Sequence, residues 1–324
     1  MLASIQEIKN IEPIKDADKI ERLQVLGWNL VSQKGTFKIG DLCVYIEIDT
    51  VVPEKPEFEF LRKNNFRIRT VTLRGQISQG LALPLSVLPT GDYKIGDDVT
   101  NILEITHYTK PIPVGMGDVM RQAGLPFNIP QTDERMLQSI PDILTELMGL
   151  VVYISTKLDG TSATYAIKDK DYHVCSRGNS WFEDDKSLYW NVSKMYNIQD
   201  KLLSMGKNLA IQGEICGPGI QKNRLDLKHH DLFVFDVFDI DKYEYFGYDQ
   251  LCEFCQHLGF IMVPVECVLV FDYNLPELIY MAKGNYKSGK KKEGIVIRAI
   301  NNNVIKSSQF GRLSFKVLNN DYDE

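Results

Sequence analysis

The first third of the chain alternates apolar and polar residues over short stretches. The alternating stretches cover residues 3–11, 23–32, 43–52, 66–73 and 81–85. A period of two is typical of strands that bury one face, and the Gly and Asp residues between the stretches favour turns. The 23–32 stretch contains Gly27 and is predicted as one strand with a bulge. Five short strands at this spacing predict a small β-barrel, and the size fits a barrel of the OB type.

Residues 106–130 interrupt this alternation. They contain many helix and strand breakers without any periodicity, namely Pro111, Pro113, Gly115, Gly117, Gly124, Pro126 and Pro130. Such a composition predicts a linker. The predicted organisation is therefore a barrel domain at 1–105, a linker at 106–130 and a second domain at 131–324.

The pattern changes again after residue 130. A helix is predicted over 133–149, followed by a strand that ends at Lys157. Further strands are predicted at 163–168, 172–177, 209–215, 231–240, 262–271, 293–299 and 303–307, and further helices at 186–206, 247–258 and 274–283. This mixture predicts an α+β domain built on antiparallel strands.

The bulk composition describes an ordinary globular chain. It has 324 residues, of which 44% are hydrophobic and 25% are charged. No apolar run is long enough to span a membrane, and the charged N-terminus is not a signal peptide, so a cytoplasmic location away from membranes is expected. Cys252 and Cys255 have the spacing of metal ligands, but Leu251, Cys255 and Leu258 repeat at helical spacing. A helix face packed on the core is therefore predicted, with reduced thiols.

The charge is distributed unevenly. The net charge of −6 excludes a protein coated in basic residues and argues against strong nonspecific binding of nucleic acids. Residues 61–75 nevertheless contain Arg62, Lys63, Arg67, Arg69 and Arg74 without an acidic residue, and residues 284–292 form a second basic block. Both blocks are compatible with a solvated face and with contacts to phosphates.

A small set of residues carries the candidate chemistry. Lys157-Leu158-Asp159-Gly160 follows a predicted strand, and a lysine beside an acid can act as a covalent nucleophile. Glu214 and Glu293 lie at predicted strand ends next to glycines, where carboxylates suit a hard cation such as Mg²⁺. Lys316 lies in an otherwise apolar strand and needs an anionic partner. Each acid alone is more simply a solvated charge, so the interpretation depends on the set.

Residues 131–324 resemble the covalent nucleotidyltransferase superfamily, which contains ATP-dependent DNA ligases, RNA ligases and mRNA capping enzymes. Lys157-Leu-Asp-Gly160 looks like its motif I, Phe233-Val-Phe-Asp236 like motif III, and Glu293-Gly-Ile-Val-Ile-Arg298 like motif IV. Ser314-Phe-Lys-Val317 looks like motif V, although the superfamily usually has a lysine where this chain has Ser314. Cys175-Ser-Arg-Gly178 resembles an element whose arginine engages the nick in RNA ligases.

The resemblance implies a role for each matching residue. Lys157 would be the adenylated residue, with Asp159 and Lys316 as further catalytic groups. Asp159, Glu214 and Glu293 would hold Mg²⁺ or Mn²⁺, through water. The ATP and AMP site would comprise Arg135, Thr156, Gly160, Arg177, Glu214, Phe235, Glu293 and Val296, with Phe235 stacked on the base. The metal and nearby cations are expected to lower the pKa of Lys157.

The order of the domains separates the subfamilies. An OB-type barrel before the transferase domain is similar to the RNA ligases that have an N-terminal OB module, and eight residues follow Lys316, too few for the C-terminal domain of DNA ligases and capping enzymes. This resemblance implies an ATP-dependent RNA ligase that acts as a monomer in RNA repair and seals 3′-OH/5′-phosphate nicks. Arg67, Arg69 and Arg177 would contact the RNA. A DNA ligase, a capping-type enzyme and a non-catalytic OB-based RNA-binding protein remain as alternatives, as do RNA or DNA on each side of the nick.

Overall fold

The structure is a computed structural model that describes residues 1–108, 120–301, 306–307 and 311–322. The chain forms two compact units. The first comprises Met1–Ile112, Leu137–Pro141 and Asn320–Glu324, and the second comprises Pro113–Met136 and Asp142–Asn319. The domain limits at residues 105 and 131 stay a prediction.

The first unit consists almost entirely of short antiparallel strands. They are β1 (Ala3–Pro13), β2 (Ile20–Val25), β3 (Trp28–Gln33), β4 (Leu42–Ile46), β5 (Thr50–Val51), β6 (Arg67–Ile68), β7 (Val71–Leu73), β8 (Gln76–Ser78), β9 (Leu81–Pro84) and β10 (Thr106–His107). Two 3₁₀ helices, Pro56–Asn64 and Leu85–Val87, connect them.

Strand β1 curls this antiparallel sheet. Its first half pairs with β4 and its second half with β2, with a change of register between Ile8 and Asn10. The resulting order is β3-β2-β1-β4-β9. Ile5, Val44 and Phe58 are fully buried inside, because alternate residues of each strand face the same side. The prediction of an OB-type fold is confirmed, but the single strand at 23–32 is wrong, since a tight turn at Leu26 (φ 51°) divides it into a hairpin.

The second unit contains the remaining elements. Its strands are β11 (Met120–Ala123), β12 (Arg135–Met136), β13 (Val151–Lys157), β14 (Thr161–Lys168), β15 (Asp171–Ser176), β16 (Asn179–Trp181), β17 (Leu209–Cys216), β18 (Asp231–Asp239), β19 (Glu244–Tyr245), β20 (Ile261–Met262), β21 (Val265–Val270), β22 (Gly294–Ala299), β23 (Lys306–Ser307), β24 (Gly311–Arg312) and β25 (Ser314–Leu318). Its helices are α1 (Leu144–Leu147), α2 (Leu188–Met195), α3 (Ile198–Ser204), α4 (Tyr248–Leu258) and α5 (Leu275–Ala282).

Two larger sheets organise this unit, and the α+β prediction is confirmed. One has the order β11-β16-β15-β14-β17-β18-β19, and the other has the order β12-β25-β22-β13-β21. Strands β13 and β14 are consecutive in the chain but belong to different sheets. Residues 158–160 therefore carry the chain from one sheet to the other, directly after Lys157.

Apolar side chains of the first of these sheets and of α2, α3 and α4 form the main core. Tyr165, Ile211 and Leu232 are fully buried there. Leu251 and Cys255 of α4 are buried against the same core, as predicted, and all six cysteines are free. A helix covers the apolar face of a sheet because that face is otherwise exposed to water.

Several predicted elements differ from the structure. The helix over 133–149 is wrong: the segment contains the short β12, two 3₁₀ turns and the four-residue α1. The helix over 186–206 is divided by Asn197, which has φ 50°. Residues 120–130 lie within the predicted linker, but Met120–Ala123 pairs with β16 and Ile129 is buried. Residues 109–119 and 302–305 lie outside the described part. No helix of the described residues is long and apolar enough to cross a membrane.

Candidate active site around Lys157

Lys157 is the last residue of β13, where β13 pairs with β22. Its Cα lies opposite Gly294, so the preceding residue, Glu293, lies beside the lysine. The Lys157 Nζ donates to Glu293 Oε1 at 2.5 Å, and the two side chains are 24% and 22% exposed. The amine is therefore held at an accessible position, within direct contact of a carboxylate.

Tyr286 ties these two strand ends together. Its hydroxyl donates to the backbone oxygen of Lys157 at 2.8 Å and accepts from the backbone N–H of Glu293 at 3.1 Å. The tyrosine is 8% exposed and packs with Leu158 and Cys216. A buried phenol that satisfies two backbone groups fixes the separation of the lysine and the glutamate.

The turn after Lys157 brings a second acid to the site. Arg224 Nε lies 3.5 Å from Asp159 Oδ2, and both side chains are nearly buried. Gly160 lies against β17, and a Cβ there would lie 2.8 Å from Glu214 Cγ and from Cys216 Sγ. Only glycine permits this approach, which places Asp159 next to the end of β17.

Glu214 is the third acid. It lies near the end of β17 opposite Ser162. Burial raises its pKa to about 8, with Glu293 and Asp159 adding to the shift and Lys157 opposing it. A buried carboxyl group near two other acids is stable as an anion only when more positive charge is present.

The protein's own groups raise the pKa of Lys157, and the lowering expected from a bound metal and nearby cations stays a prediction. Burial lowers it, but the carboxylates of Glu293, Glu214 and Asp159 together outweigh burial and raise the pKa above the ordinary value. Within the protein, three acids and no metal contribute to this shift. The negative charges of these acids keep the lysine protonated. Neutralising those charges would remove what raises the pKa of Lys157.

Val296 and Lys316 share a sheet face with Lys157. Val296 pairs with Ser155 on one side and with Lys316 on the other. Paired residues and alternate residues project to the same face, so the three side chains are neighbours. Burial lowers the pKa of Lys316, and the charges of Lys157 and Arg177 lower it further, while Glu293 and Asp133 oppose the shift. The sheet thus brings Val296 and Lys316, both predicted from the sequence to contact the nucleotide, next to Lys157.

The predicted base-binding residues lie next to this face. Phe233 and Phe235 of β18 pack beside Leu158 and Tyr286, and Phe235 is half-buried. The Thr156 hydroxyl donates to Glu266 Oε1 at 2.9 Å, and Lys292 Nζ contacts the same oxygen at 2.7 Å. Glu266 therefore holds the residue before the lysine in place.

Ser314 belongs to a buried network of charges. Its hydroxyl accepts from Arg298 Nε at 2.8 Å and donates to Glu134 Oε1 at 2.7 Å. Arg298 also contacts Glu134 at 2.9 Å, and Arg312 contacts Asp236 at 2.5 Å. The position at which the superfamily usually has a lysine thus joins an internal ion pair, and Arg298 is the cation nearest to it.

The segment before motif I supplies polar groups near Lys316. Arg177 is 56% exposed and forms an ion pair with Asp133. Thr132 Oγ1 lies 2.9 Å from Ser162 Oγ, and Arg135 is exposed on β12. Both predicted arginines are accessible, although Arg177 already has an acidic partner.

Models of known families match both parts of the chain. An OB-fold domain model matches residues 2–85, and an RNA ligase model matches residues 150–318. The second match covers more than half of the sequence. The chain belongs to the RNA ligase family.

Solved structures agree with this assignment. A Naegleria gruberi RNA ligase with a lysine-to-alanine change, in complex with ATP and Mn, is 32% identical with a TM-score of 0.85, and the match covers 99% of this chain and 98% of that one. The N. gruberi enzyme with pyrophosphate gives 32% identity and a TM-score of 0.83, over 99% and 97% of the two chains. No curated protein sequence matches the ligase.

The acids of this RNA ligase fit a divalent ion that is held through water. Within the described residues, no three acidic, histidine or cysteine side chains are close enough to bind an ion directly. Asp159 and Glu293 are paired with Arg224 and Lys157, while burial raises the pKa of Glu214. Two carboxylates and the carboxyl group of Glu214, which a cation would ionise, suit a hydrated Mg²⁺ or Mn²⁺, because such ions lose water reluctantly.

The predicted RNA contacts of the first unit differ from one another. Arg67 Nη2 lies 2.6 Å from Asp49 Oδ1, and its guanidinium lies 3.7 Å from the centre of the Tyr108 ring. Arg69 is exposed. Of the two arginines predicted from the alternation, only Arg69 is open to a ligand without breaking an internal contact.

Three residues that support the site were not predicted from the sequence. Tyr286, Glu266 and Arg224 contact Lys157, Thr156 and Asp159, respectively. Arg224 and Glu266 lie within no motif, so pattern gave no signal for them. Tyr286 did carry one, since it is a single aromatic residue in a basic block that leads into motif IV.

Proposed function

We propose that this RNA ligase uses ATP to seal 3′-OH/5′-phosphate nicks in RNA duplexes, and that it serves in RNA repair. The observation that carries the proposal is the contact of Lys157 Nζ with Glu293 at 2.5 Å, next to Asp159 and Glu214. An accessible amine among acids suits covalent transfer of AMP, because Asp159, Glu214 and Glu293 would hold a divalent ion whose charge would favour the neutral form of Lys157.

ATP would bind against the face shared by Lys157, Val296 and Lys316. Phe235 stacks on the adenine, and Val296 covers the opposite side of the base. Lys316 contacts the α-phosphate, and the exposed Arg135 contacts the outer phosphates. Gly160 permits close approach of the backbone, and Thr156, whose side chain lies on the opposite face of the sheet, would contact the nucleotide through its backbone. The ATP-bound state of the N. gruberi relative supports this choice of nucleotide.

Three transfers would complete the reaction. First, the neutral Lys157 amine attacks the α-phosphorus, a P–N bond forms as the bond from that phosphorus to the α–β bridging oxygen breaks, pyrophosphate leaves, and a proton of the amine passes to solvent. Second, an oxygen of the RNA 5′-phosphate attacks the lysyl-AMP phosphorus, which breaks the P–N bond, leaves AMP on the RNA and returns a proton to the lysine nitrogen. Third, the 3′-OH attacks that 5′-phosphate, loses its proton to solvent, forms the phosphodiester and expels AMP.

The protein groups would each support one of these transfers. Asp159, Glu214 and Glu293 would hold Mg²⁺ or Mn²⁺, which supplies charge neutralisation at the reacting phosphate. Lys316 adds fixed positive charge there, and the Tyr286 hydroxyl keeps Lys157 aligned with Glu293. Arg177 and Arg69 would contact backbone phosphates of the nicked strand.

An adduct assay tests the first transfer. Incubation with ATP labelled at the α-phosphate and Mg²⁺ or Mn²⁺ is expected to label the wild-type protein, and Lys157→Ala is expected to remove the label. Lys170→Ala is a matched control, since Lys170 is exposed at the far end of β14. A labelled Lys157→Ala protein would overturn the assignment, and labelling by GTP instead of ATP would favour a capping-type enzyme.

A sealing assay tests the substrate. Nicked duplexes with a 3′-OH and a 5′-phosphate are offered with RNA or DNA on each side of the nick in turn. We expect sealing when the nick is made of RNA and none when the 5′-phosphate is absent. Preferred sealing of all-DNA nicks would contradict the proposal, and an adduct without any sealing would separate AMP transfer from ligation.

A further inference from the structure

Two loops that adjoin the active site carry most of their exposed charge as lysines. Residues 217–230 connect β17 to β18, and residues 284–292 lead from α5 to Glu293. The second loop contains Lys287, Lys290, Lys291 and Lys292 without any acidic residue, in a chain whose net charge is −6. We call the exposed lysines of the two loops the basic rim; they are Lys222, Lys228, Lys287, Lys290 and Lys291.

The two loops form one continuous surface. Ser288 Oγ donates to the backbone oxygen of Arg224, and Lys290 Nζ donates to the backbone oxygen of Asn223 at 3.4 Å. These contacts connect residues that are more than sixty positions apart, with separations of 64 and 67. The lysines of both loops therefore belong to a single patch of the second unit.

Internal hydrogen bonds give each loop a defined conformation. In the 284–292 loop, the N–H of Tyr286 donates to the oxygen of Lys290 at 2.8 Å, and the N–H of Lys292 donates to that of Gly284 at 2.9 Å. In the 217–230 loop, the Asn223 side chain exchanges hydrogen bonds with the backbone of Leu227 at 3.0 and 3.2 Å. Ordered loops present their charges at fixed positions, which lowers the entropic cost of binding.

Each loop also contacts the residues around the nucleophile. Tyr286 bonds the backbone of Lys157, and Arg224 pairs with Asp159. Gln221 Nε2 donates to the backbone oxygen of Gly160 at 3.3 Å. The basic rim therefore begins where motif I ends, and a phosphate chain lying on it would pass beside the reacting lysine.

The inward and outward cations of the loops have different partners. Arg224 and Lys292 are buried and pair with Asp159 and Glu266. Among the described residues, Lys222 and Lys287 have no acidic side chain within ion-pair distance, and both are exposed. Outward lysines without acidic partners repel one another, so they are favoured where a polyanion binds.

We propose that the basic rim binds the phosphate backbone of the RNA strand whose 5′-phosphate receives AMP. The inference rests on the proposed function, since it needs an RNA end at Lys157. Contacts to backbone phosphates are independent of sequence, and they position the strand without selecting bases. The rim thus gives the second unit a binding surface of its own for the substrate.

The test compares two double variants of the full chain. Lys222→Ala/Lys287→Ala removes one rim lysine from each loop. Lys170→Ala/Lys207→Ala removes the same charge from exposed positions at the other end of β14 and β17, about 20 Å along the strands. Binding of a fluorescent nicked RNA duplex is measured without ATP across a series of salt concentrations, and lysyl-AMP formation is measured without RNA.

The rim variant is expected to bind RNA about tenfold or more weakly at ~0.1 M salt, with a log–log salt slope that is shallower by about two. The control is expected to stay within about twofold of wild type, and both variants are expected to form lysyl-AMP at the wild-type rate. Equal losses of RNA binding in rim and control, or no loss in either, would overturn the proposal.

A further outcome would assign the rim to another ligand. If the rim variant binds RNA normally but forms lysyl-AMP slowly, the lysines bind the pyrophosphate end of ATP instead, and the proposal fails. The wild-type sealing assay is run in parallel. An absence of sealing by wild type refutes the proposed function, whereas sealing by wild type together with equal RNA binding by the rim and control variants refutes the rim proposal alone.

Discussion

The two basic segments of this chain look alike in sequence and differ in structure. In the segment 61–75, Arg62 forms ion pairs with Glu59 and Glu54. Arg67 pairs with Asp49 and lies over the ring of Tyr108. In the 284–292 loop, the buried Lys292 pairs with Glu266, Lys290 donates to the backbone oxygen of Asn223, and Lys287 is exposed without an acidic partner among the described residues. The acids that pair with Arg67 and Lys292 lie 18 and 26 residues away. A run of basic residues therefore does not reveal how many of its charges remain for a ligand.

Breaking the hydrogen bonds between the 284–292 loop and the backbone of Lys157 is expected to have the largest effect on the rate. Tyr286→Phe removes the two hydrogen bonds to the backbone of Lys157 and Glu293 without changing the volume of the side chain. We expect lysyl-AMP formation to slow by roughly 10- to 100-fold, because small misplacements of reacting groups are costly. The change should lower kcat and leave the KM for ATP nearly unchanged, since the phenol bonds the nucleophile's backbone and not the nucleotide.

Tyr280→Phe is the control for this variant, because Tyr280 is 78% exposed on the neighbouring α5. It should behave as wild type in both kinetic parameters. A Tyr286→Phe enzyme with wild-type kcat would show that the two hydrogen bonds of the Tyr286 hydroxyl have no part in the reaction. The only remaining role for the 284–292 loop would then be its surface charge.

Arg67 and Arg69 are expected to separate stability from RNA binding within the first segment. Arg67→Met loses a partly buried ion pair and a cation–π contact, so we expect about 1–2 kcal/mol less stability and little change in RNA affinity. Arg69→Ala should weaken RNA binding by a few fold and leave Tm unchanged, because the side chain is exposed. Thermal unfolding and RNA titration check both variants. A loss of RNA affinity in Arg67→Met, or a loss of stability in Arg69→Ala, would contradict the different roles predicted for the two arginines.

Arg62→Ala is expected to have the smallest effect. Its partners Glu59 and Glu54 are 58% and 68% exposed, and solvent screens ion pairs of that kind almost completely. RNA affinity should stay within about twofold of wild type, because the guanidinium is already paired. A tenfold loss of RNA binding would mean that the pair opens for the substrate and that pairing is a poor guide to availability.

The sequence predicted the fold class well and some boundaries poorly. Short alternating strands and the order of the two regions were sufficient for the OB-type sheet and the α+β unit, because periodicity reflects burial of one face. The predicted helix over 133–149 failed because the segment begins with a β-strand pairing, Arg135 with Phe315, that is 180 residues distant in the chain. Distant pairing of this kind leaves no local pattern.

The sequence predicted the motif residues of the candidate site but not the residues that hold them in place, Tyr286, Glu266 and Arg224. Lys157, Glu214 and Glu293 lie at or next to the ends of strands, which patterning finds. The paired strands then bring Lys157, Val296 and Lys316 to one face. The pKa of Lys157 was expected to fall beside a bound metal and cations, and that prediction is untested; within the protein alone, Glu293 and Glu214 raise it. The charged groups nearest to Lys157 depend on how two sheets pack, and the spacing of residues in the sequence does not predict that packing.

Mapping of the adenylylated residue tests the central claim most directly. The wild-type protein is incubated with ATP and a divalent metal in the absence of RNA, digested under conditions that preserve the phosphoramidate, and sequenced by mass spectrometry. We predict AMP on Lys157 alone, and its release when pyrophosphate is added. AMP on Lys292 or Lys316, or no AMP on any lysine while RNA is still sealed, would contradict the account.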